Sequence, residues 1–278
     1  MPIGTLDLPE LDEISRICGW LARLGWSEGA GGNLSVRLKE TVPNVTALTG
    51  KQDHPLPVKA PQLGGGHLLV TGRGTRARDI ADDPKAGVGL YRISPDGGSA
   101  AWLWGNNNPT SELPSHVAIH AALAEARPNH RAILHTHPTT LIALTHLPEF
   151  EEGDALSTAL MGMQSEAWLH LPQGLAHLPY YLPGSLDLGL ASAEAVRQGH
   201  RVVLWHMHGD LATGETASDA LDILQVAEKA AGIYWTVTSA GRRPLGMQAE
   251  DVRRSLQHFG HWEQHARALG LDEETEEP

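Results

Sequence analysis

His67-Leu68-Leu69-Val70-Thr71-Gly72-Arg73-Gly74-Thr75 reads as a short apolar strand running into a glycine-rich turn. Two more strand-like pieces follow, at about Gly89 to Ser94 and Ala101 to Trp104, with no long helix between them. Parallel neighbours need a long crossover, usually helical, whereas antiparallel ones join through short turns, so this run predicts an antiparallel sheet.

Helices and strands flank it on both sides. Upstream, an amphipathic helix spans about Leu8 to Leu24, with the apolar row Ile14, Ile17, Cys18, Leu21 and Leu24 on one face and Gly25 placed for a left-handed cap. The turn-rich segment Ser27-Glu28-Gly29-Ala30-Gly31-Gly32-Asn33-Leu34-Ser35 leads into a strand from Ser35 to Leu38, and residues 42–66 form a long excursion rich in proline and glycine. Downstream, Ser111 and Pro114 mark the start of a helix that runs to about Arg127, with Ala118, Ile119, Ala122 and Leu123 at helical spacing. A strand from about Ala132 to His137, a helix after Pro138, a strand-like run including Trp168 to Leu171, a buried strand at Val202 to His206 and a helix at about Ser218 to Ser239 complete the order. The expectation is one α/β (α+β) domain over residues 1–270, with a central, mainly antiparallel sheet covered by helices and no internal repeat or linker. Residues 271–278, which carry Asp272, Glu273, Glu274, Glu276 and Glu277, read as a frayed acidic tail.

A chain of 278 residues buries a core without help from metal or disulfide, so any metal is free for chemistry. Its single cysteine cannot form an internal disulfide, and the spacing packs it on a helix face. The sequence shows neither a signal peptide nor an apolar run long enough for a membrane, so the cytoplasm is the expected compartment. A net charge of -12, with scattered basic residues, argues against a nucleic-acid partner.

Histidine is the unusual component, at 16 residues. In Leu134-His135-Thr136-His137-Pro138, alternate residues of a strand face the same way, so two imidazoles can converge on one ion; the alternative is a hydrogen-bonded pair at a strand end. Trp205-His206-Met207-His208-Gly209 ends another apolar strand and offers a third ligand, either His206 or His208. Three neutral nitrogens with an open fourth position suit a catalytic zinc, whereas a structural site would be closed by four ligands, usually including cysteines. In Pro109-Thr110-Ser111-Glu112-Leu113-Pro114, hydroxyls and a carboxylate stand at a helix start, where Glu112 can shuttle protons and free amides can receive an anion, or where it simply caps the helix. The remaining histidines, His116 and His120 among them, read as ordinary surface or core residues.

Taken with GGNLSVR, VTGRG, PTSELPSH, ILHTHPTTLIALT, YYLPGS, LWHMHGDLATG and the AEKAA helix, the order acid, paired histidines, third histidine resembles the class II aldolase/adducin family. The likeness runs from about residue 20 to 255 and is greatest to the branch that cleaves rhamnulose 1-phosphate. The resemblance implies one zinc ion per subunit on His135, His137 and His208, the last chosen because it directly precedes glycine, and Glu112 as catalytic acid/base. It further implies a phosphate site at Asn33, Gly72, Arg73, Gly74, Thr110 and Ser111, and a second acid, Glu166, supplied from a neighbouring subunit of a homotetramer with sites at its interfaces. On a strand, an ordinary surface acid would look like Glu166. Arg73 departs from the small or hydroxyl residues common in that turn, but a guanidinium suits a phosphate.

The implied reaction is reversible cleavage of L-rhamnulose 1-phosphate, or a close ketose 1-phosphate, to dihydroxyacetone phosphate and L-lactaldehyde. A Lewis-acid metal makes a Schiff-base lysine unnecessary, and no lysine lies in the three motifs. Sugar-phosphate epimerases and a dehydratase resemble the same family and define one alternative; a metal-free, adducin-like assembly module and a structural zinc protein are others.

Overall fold

The computed structural model describes residues 7–40, 42, 53–151 and 154–269. The acidic tail and most of the excursion's first half lie outside these. Among the described residues nine strands, β1 (Asn33–Arg37), β2 (Asp53–Pro55), β3 (His67–Thr71), β4 (Val88–Ile93), β5 (Ser99–Gly105), β6 (Ala132–Thr136), β7 (Leu175–Leu178), β8 (Val202–Trp205) and β9 (Gly209–Gly214), form one sheet in the order β2-β5-β4-β3-β1-β6-β9-β8-β7. Every pairing is antiparallel except β7 with β8.

The α-helices among the described residues are α1 (Pro9–Leu24), α2 (Ala77–Asp82), α3 (Pro84–Gly87), α4 (Leu113–Ala126), α5 (Thr139–Thr145), α6 (Ala155–Met161), α7 (Ser165–His170), α8 (Leu186–Arg197), α9 (Ala217–Ser239), α10 (Ala249–His258) and α11 (Trp262–Leu269). The period of two along each strand divides its side chains between two helical layers. Leu34, Val36, Ala132, Leu134, Val202 and Leu204 pack toward the core that holds the buried residues of α1 and α9. Ile133, Val203, Trp205 and Leu211 pack instead against Ile119 and Leu123 of α4 and Val196 of α8. Helix α4 therefore lies across the sheet with buried side chains all round, from Ser115 to Leu123.

Cys18 is buried as expected, and burial pushes its thiol up to about 12, which keeps it inert. Gly25 takes the left-handed cap at φ 72. Leu24, placed on the buried row by its spacing, is exposed at the helix end. One element differs in kind: the run at Trp168 to Leu171 belongs to α7 and its C-cap, not to a strand. Ala167 and Leu171 are the buried pair there, and a separation of four is helical spacing. Glu166 accordingly stands in the first turn of a helix.

Candidate metal centre and acid–base site

The C-terminal end of β6, the turn into β9 and the start of α4 meet at one end of the sheet. His135 is the fourth residue of β6 and shares the α4 face with Ile133. His137 follows the strand, its N–H donating to the Trp26 carbonyl at 2.9 Å. His208 comes from the turn between β8 and β9, where Met207 has φ 55. One side-chain nitrogen from each of these three residues lies within 4.8 Å of the other two. His206, two residues away, turns elsewhere and stacks on His177, its Nδ1 3.3 Å from His177 Nε2. The two histidines of this segment do not face the same way, because the strand stops at Trp205.

Glu112 closes the group from the first residue before α4, where it is buried. Its Oε2 is 3.4 Å from His135 Nε2 and its Oε1 is 3.5 Å from His208 Nε2. The Nε2 atoms of His135 and His137 stand 3.2 Å apart. For tetrahedral zinc with ligands at about 2.0–2.1 Å, neighbouring ligand atoms are about 3.3–3.4 Å apart, so these three contacts have the spacing of neighbouring ligands in one coordination shell.

The protonation pattern agrees. His135 Nδ1 is 2.6 Å from the Asp210 carbonyl, which can only accept, and His137 Nδ1 is 2.7 Å from Glu28 Oε1. Both rings thus carry their proton on Nδ1 and turn bare Nε2 lone pairs toward each other, an arrangement that a cation reconciles. Burial, then the neighbouring His137 and His208, holds His135 well below its ordinary 6.5 and keeps it neutral. His208 is lowered as well, first by burial, against the opposing pull of Glu112. At Glu28 burial raises the carboxyl, but the hydrogen bond from His137 helps carry it below its ordinary value. The residues present fit a divalent ion.

The expected anion-binding residues are also brought together. The Thr71 carbonyl accepts from Thr110 N at 3.0 Å, Thr71 Oγ1 accepts from Leu34 N at 3.0 Å, and Gly72 bridges to Pro109. Arg73 and Gly74 are exposed at the tip, Gly74 at φ 72, while Thr110 is buried and Ser111 exposed. Asn33 donates from Nδ2 to Glu112 Oε2 at 3.2 Å. Glu166 is exposed on α7, which packs on α9 and α10, and the acids paired with the site histidines are Glu112 and Glu28 among the described residues.

Residues 12–235 match the Class II Aldolase and Adducin N-terminal domain family. The chain belongs to this family. Rhamnulose-1-phosphate aldolase of Enterococcus faecalis is 32% identical over 263 residues, covering 93% of this chain and 94% of that protein. The enzyme of the same name from Bacteroides thetaiotaomicron is 33% identical, covering 88% and 91%. A sugar-phosphate aldolase structure from Thermotoga maritima superposes with a TM-score of 0.75 at 36% identity, over 85% of this chain and 98% of that one. The chain is thus an aldolase of the lyase class, class II aldolases depend on metal, and its three-histidine group could hold the ion.

Three features escaped the sequence reading. Glu28 sits in a glycine-rich loop with no spacing to identify it. His116 and His120 were readable, since Glu112, His116 and His120 recur every fourth residue on one face of α4.

Proposed function

We propose that the protein is a zinc-dependent aldolase that cleaves L-rhamnulose 1-phosphate, or a close ketose 1-phosphate, reversibly to dihydroxyacetone phosphate and L-lactaldehyde. The observation that carries this reading is the convergence of Glu112 on His135 and His208 at 3.4 and 3.5 Å, with His137 completing the group. His135, His137 and His208 would hold one zinc ion per subunit, and the ion would supply Lewis-acid stabilisation of the charge that develops as the carbon bond breaks. Glu112, held by Asn33 beside the three imidazoles, would move the proton at the carbon of the dihydroxyacetone phosphate half.

The phosphate is received where the Gly72-Arg73-Gly74 turn meets Thr110, Ser111 and Asn33, with hydroxyls, a guanidinium and a carboxamide as donors. Glu166 would serve a neighbouring subunit of a homotetramer, acting on the aldehyde oxygen.

The test is a panel of ketose 1-phosphates incubated with metal-analysed protein and assayed for dihydroxyacetone phosphate. An epimerised or dehydrated product without cleavage would overturn the aldolase reading. Absence of bound zinc, with no activity restored by zinc, would overturn the metal assignment.

A further inference from the structure

Behind the acid–base carboxylate runs a line of buried polar side chains that the reaction does not consume. Asn33 Nδ2 donates to Glu112 Oε2 at 3.2 Å, and Asn33 Oδ1 lies 2.5 Å from His116 Nε2. His116 Nδ1 is 2.7 Å from Ser35 Oγ, which is 2.8 Å from His120 Nε2. Ser35 and His120 are fully buried and His116 nearly so.

The direction of each bond follows from the one before it. Asn33 Oδ1 can only accept, so His116 carries its proton on Nε2. Burial lowers His116 to about 4 and His120 well below its ordinary value, so both rings are neutral. The bare Nδ1 of His116 must then accept from the Ser35 hydroxyl, and the freed lone pair of Ser35 Oγ accepts from His120 Nε2–H. Every donor points toward Glu112. Reversing the line would set the Asn33 carbonyl oxygen against a carboxylate oxygen. It would also leave an N–H at His120 Nδ1, a buried atom with no partner among the described residues. Orphaned buried donors are rarer than orphaned acceptors, which selects the first orientation. Aligned bonds of this kind strengthen one another in a low-dielectric interior.

We propose that His116, Ser35 and His120 are positioning residues: they fix the Asn33 carboxamide with its N–H on Glu112 and so hold that carboxylate in one orientation beside the three histidines. The inference builds on the reading of Glu112 as the acid–base group. It assigns roles to two histidines on the interior face of α4 that touch neither substrate nor metal, and it makes Ser35 the switch point of the line.

Long-range 1H–15N NMR of histidine-labelled, zinc-loaded protein reads the tautomers directly. His116 and His120 should both carry their proton on Nε2, and an Nδ1–H tautomer at either would overturn the proposal. In kinetics, His116→Phe should lower kcat about 10- to 100-fold, as loss of a supporting contact typically does, with KM within about twofold and zinc content unchanged. His116→Gln, which can present an N–H to Asn33, should recover most of that loss. Wild-type kcat in His116→Phe, with Glu112→Gln inactive, would overturn this inference alone; an active Glu112→Gln would instead overturn the role of Glu112, and the tautomers would still be read. Should His116→Phe fail to fold, Ser35→Ala replaces it with the same expected fall.

Discussion

At Gly209 a single added methyl group would strike two of the three imidazoles, so Gly209→Ala should disturb metal binding. A Cβ at this position would lie 2.5 Å from the Thr136 carbonyl oxygen, 2.8 Å from His137 Cδ2 and 3.0 Å from His135 Cε1. Carbon atoms rest about 3.5–4.0 Å apart, so the two rings would have to retreat by on the order of 0.5–0.7 Å. Metal sites tolerate departures of about 0.2 Å in ligand distance. The carbonyl cannot give way, because it belongs to β6, whose Thr136 is paired with Asp210 of β9. The expected cost is about 1–3 kcal/mol of stability, typical of overpacking, and zinc affinity weaker by at least about 10-fold. Competition with a chromophoric chelator measures the affinity, and denaturant melts of the metal-free protein measure the stability. Gly209→Ala protein with wild-type zinc affinity would refute the geometry, since both rings are already engaged by Asp210 and Glu28 on their far sides.

His137→Ala should lose zinc and turnover together, whereas Glu112→Gln should retain zinc by metal analysis and lose turnover by about 10²–10⁴-fold, the usual contribution of a general acid–base; normal turnover in the latter would remove Glu112 from the chemistry. Glu28→Gln should weaken zinc binding by about 10- to 100-fold, read by the same chelator competition, because His137 loses the carboxylate that fixes its tautomer; unchanged affinity would make Glu28 a bystander. Metal-free protein should lose stability in acid through His116. Its folded value is about 4 against an ordinary 6.5. The unfolded chain therefore binds the proton first, and the contribution is complete above about pH 6.5 and lost as pH falls toward 4. At about 1.4 kcal/mol per unit this is about 3 kcal/mol, and urea melts of wild-type and His116→Gln proteins across that window should converge as the pH drops.

What could be read in the sequence follows from how local each feature is. The pair at His135 and His137 needed only the two-residue repeat of a strand, and the structure keeps both rings on one side although His137 lies one residue beyond β6. The start of α4 was fixed by Pro114, whose closed ring suits a first turn, to within a residue. By contrast, Trp168 to Leu171 is a short apolar run, and periodicity cannot separate helix from strand over so few residues. Packing against α9 and α10 decides it. The line from Glu112 through Asn33 to His120 joins residues 79 to 85 positions apart, and only the crossing of α4 over β1 brings them into contact.

The choice between His206 and His208 shows why the rest required the fold. Spacing alone puts both on one face only if the strand continues, but β8 and β9 are antiparallel neighbours joined by residues 206–208, so the chain must reverse there. The reversal is made by Met207 in the left-handed region, with its N–H donating to Thr145 Oγ1 at 3.0 Å. A left-handed residue other than glycine costs on the order of 1–2 kcal/mol, and here that strain separates two histidines that a strand would have aligned. One is sent toward His177 and the other toward Glu112. Gly209, directly after, is the position where a side chain would strike both remaining imidazoles. The histidine before glycine therefore joins His135 and His137 for a steric reason. The residue that follows it must be bare for the three rings to close, and only the imidazole adjoining that bare position is carried into the gap.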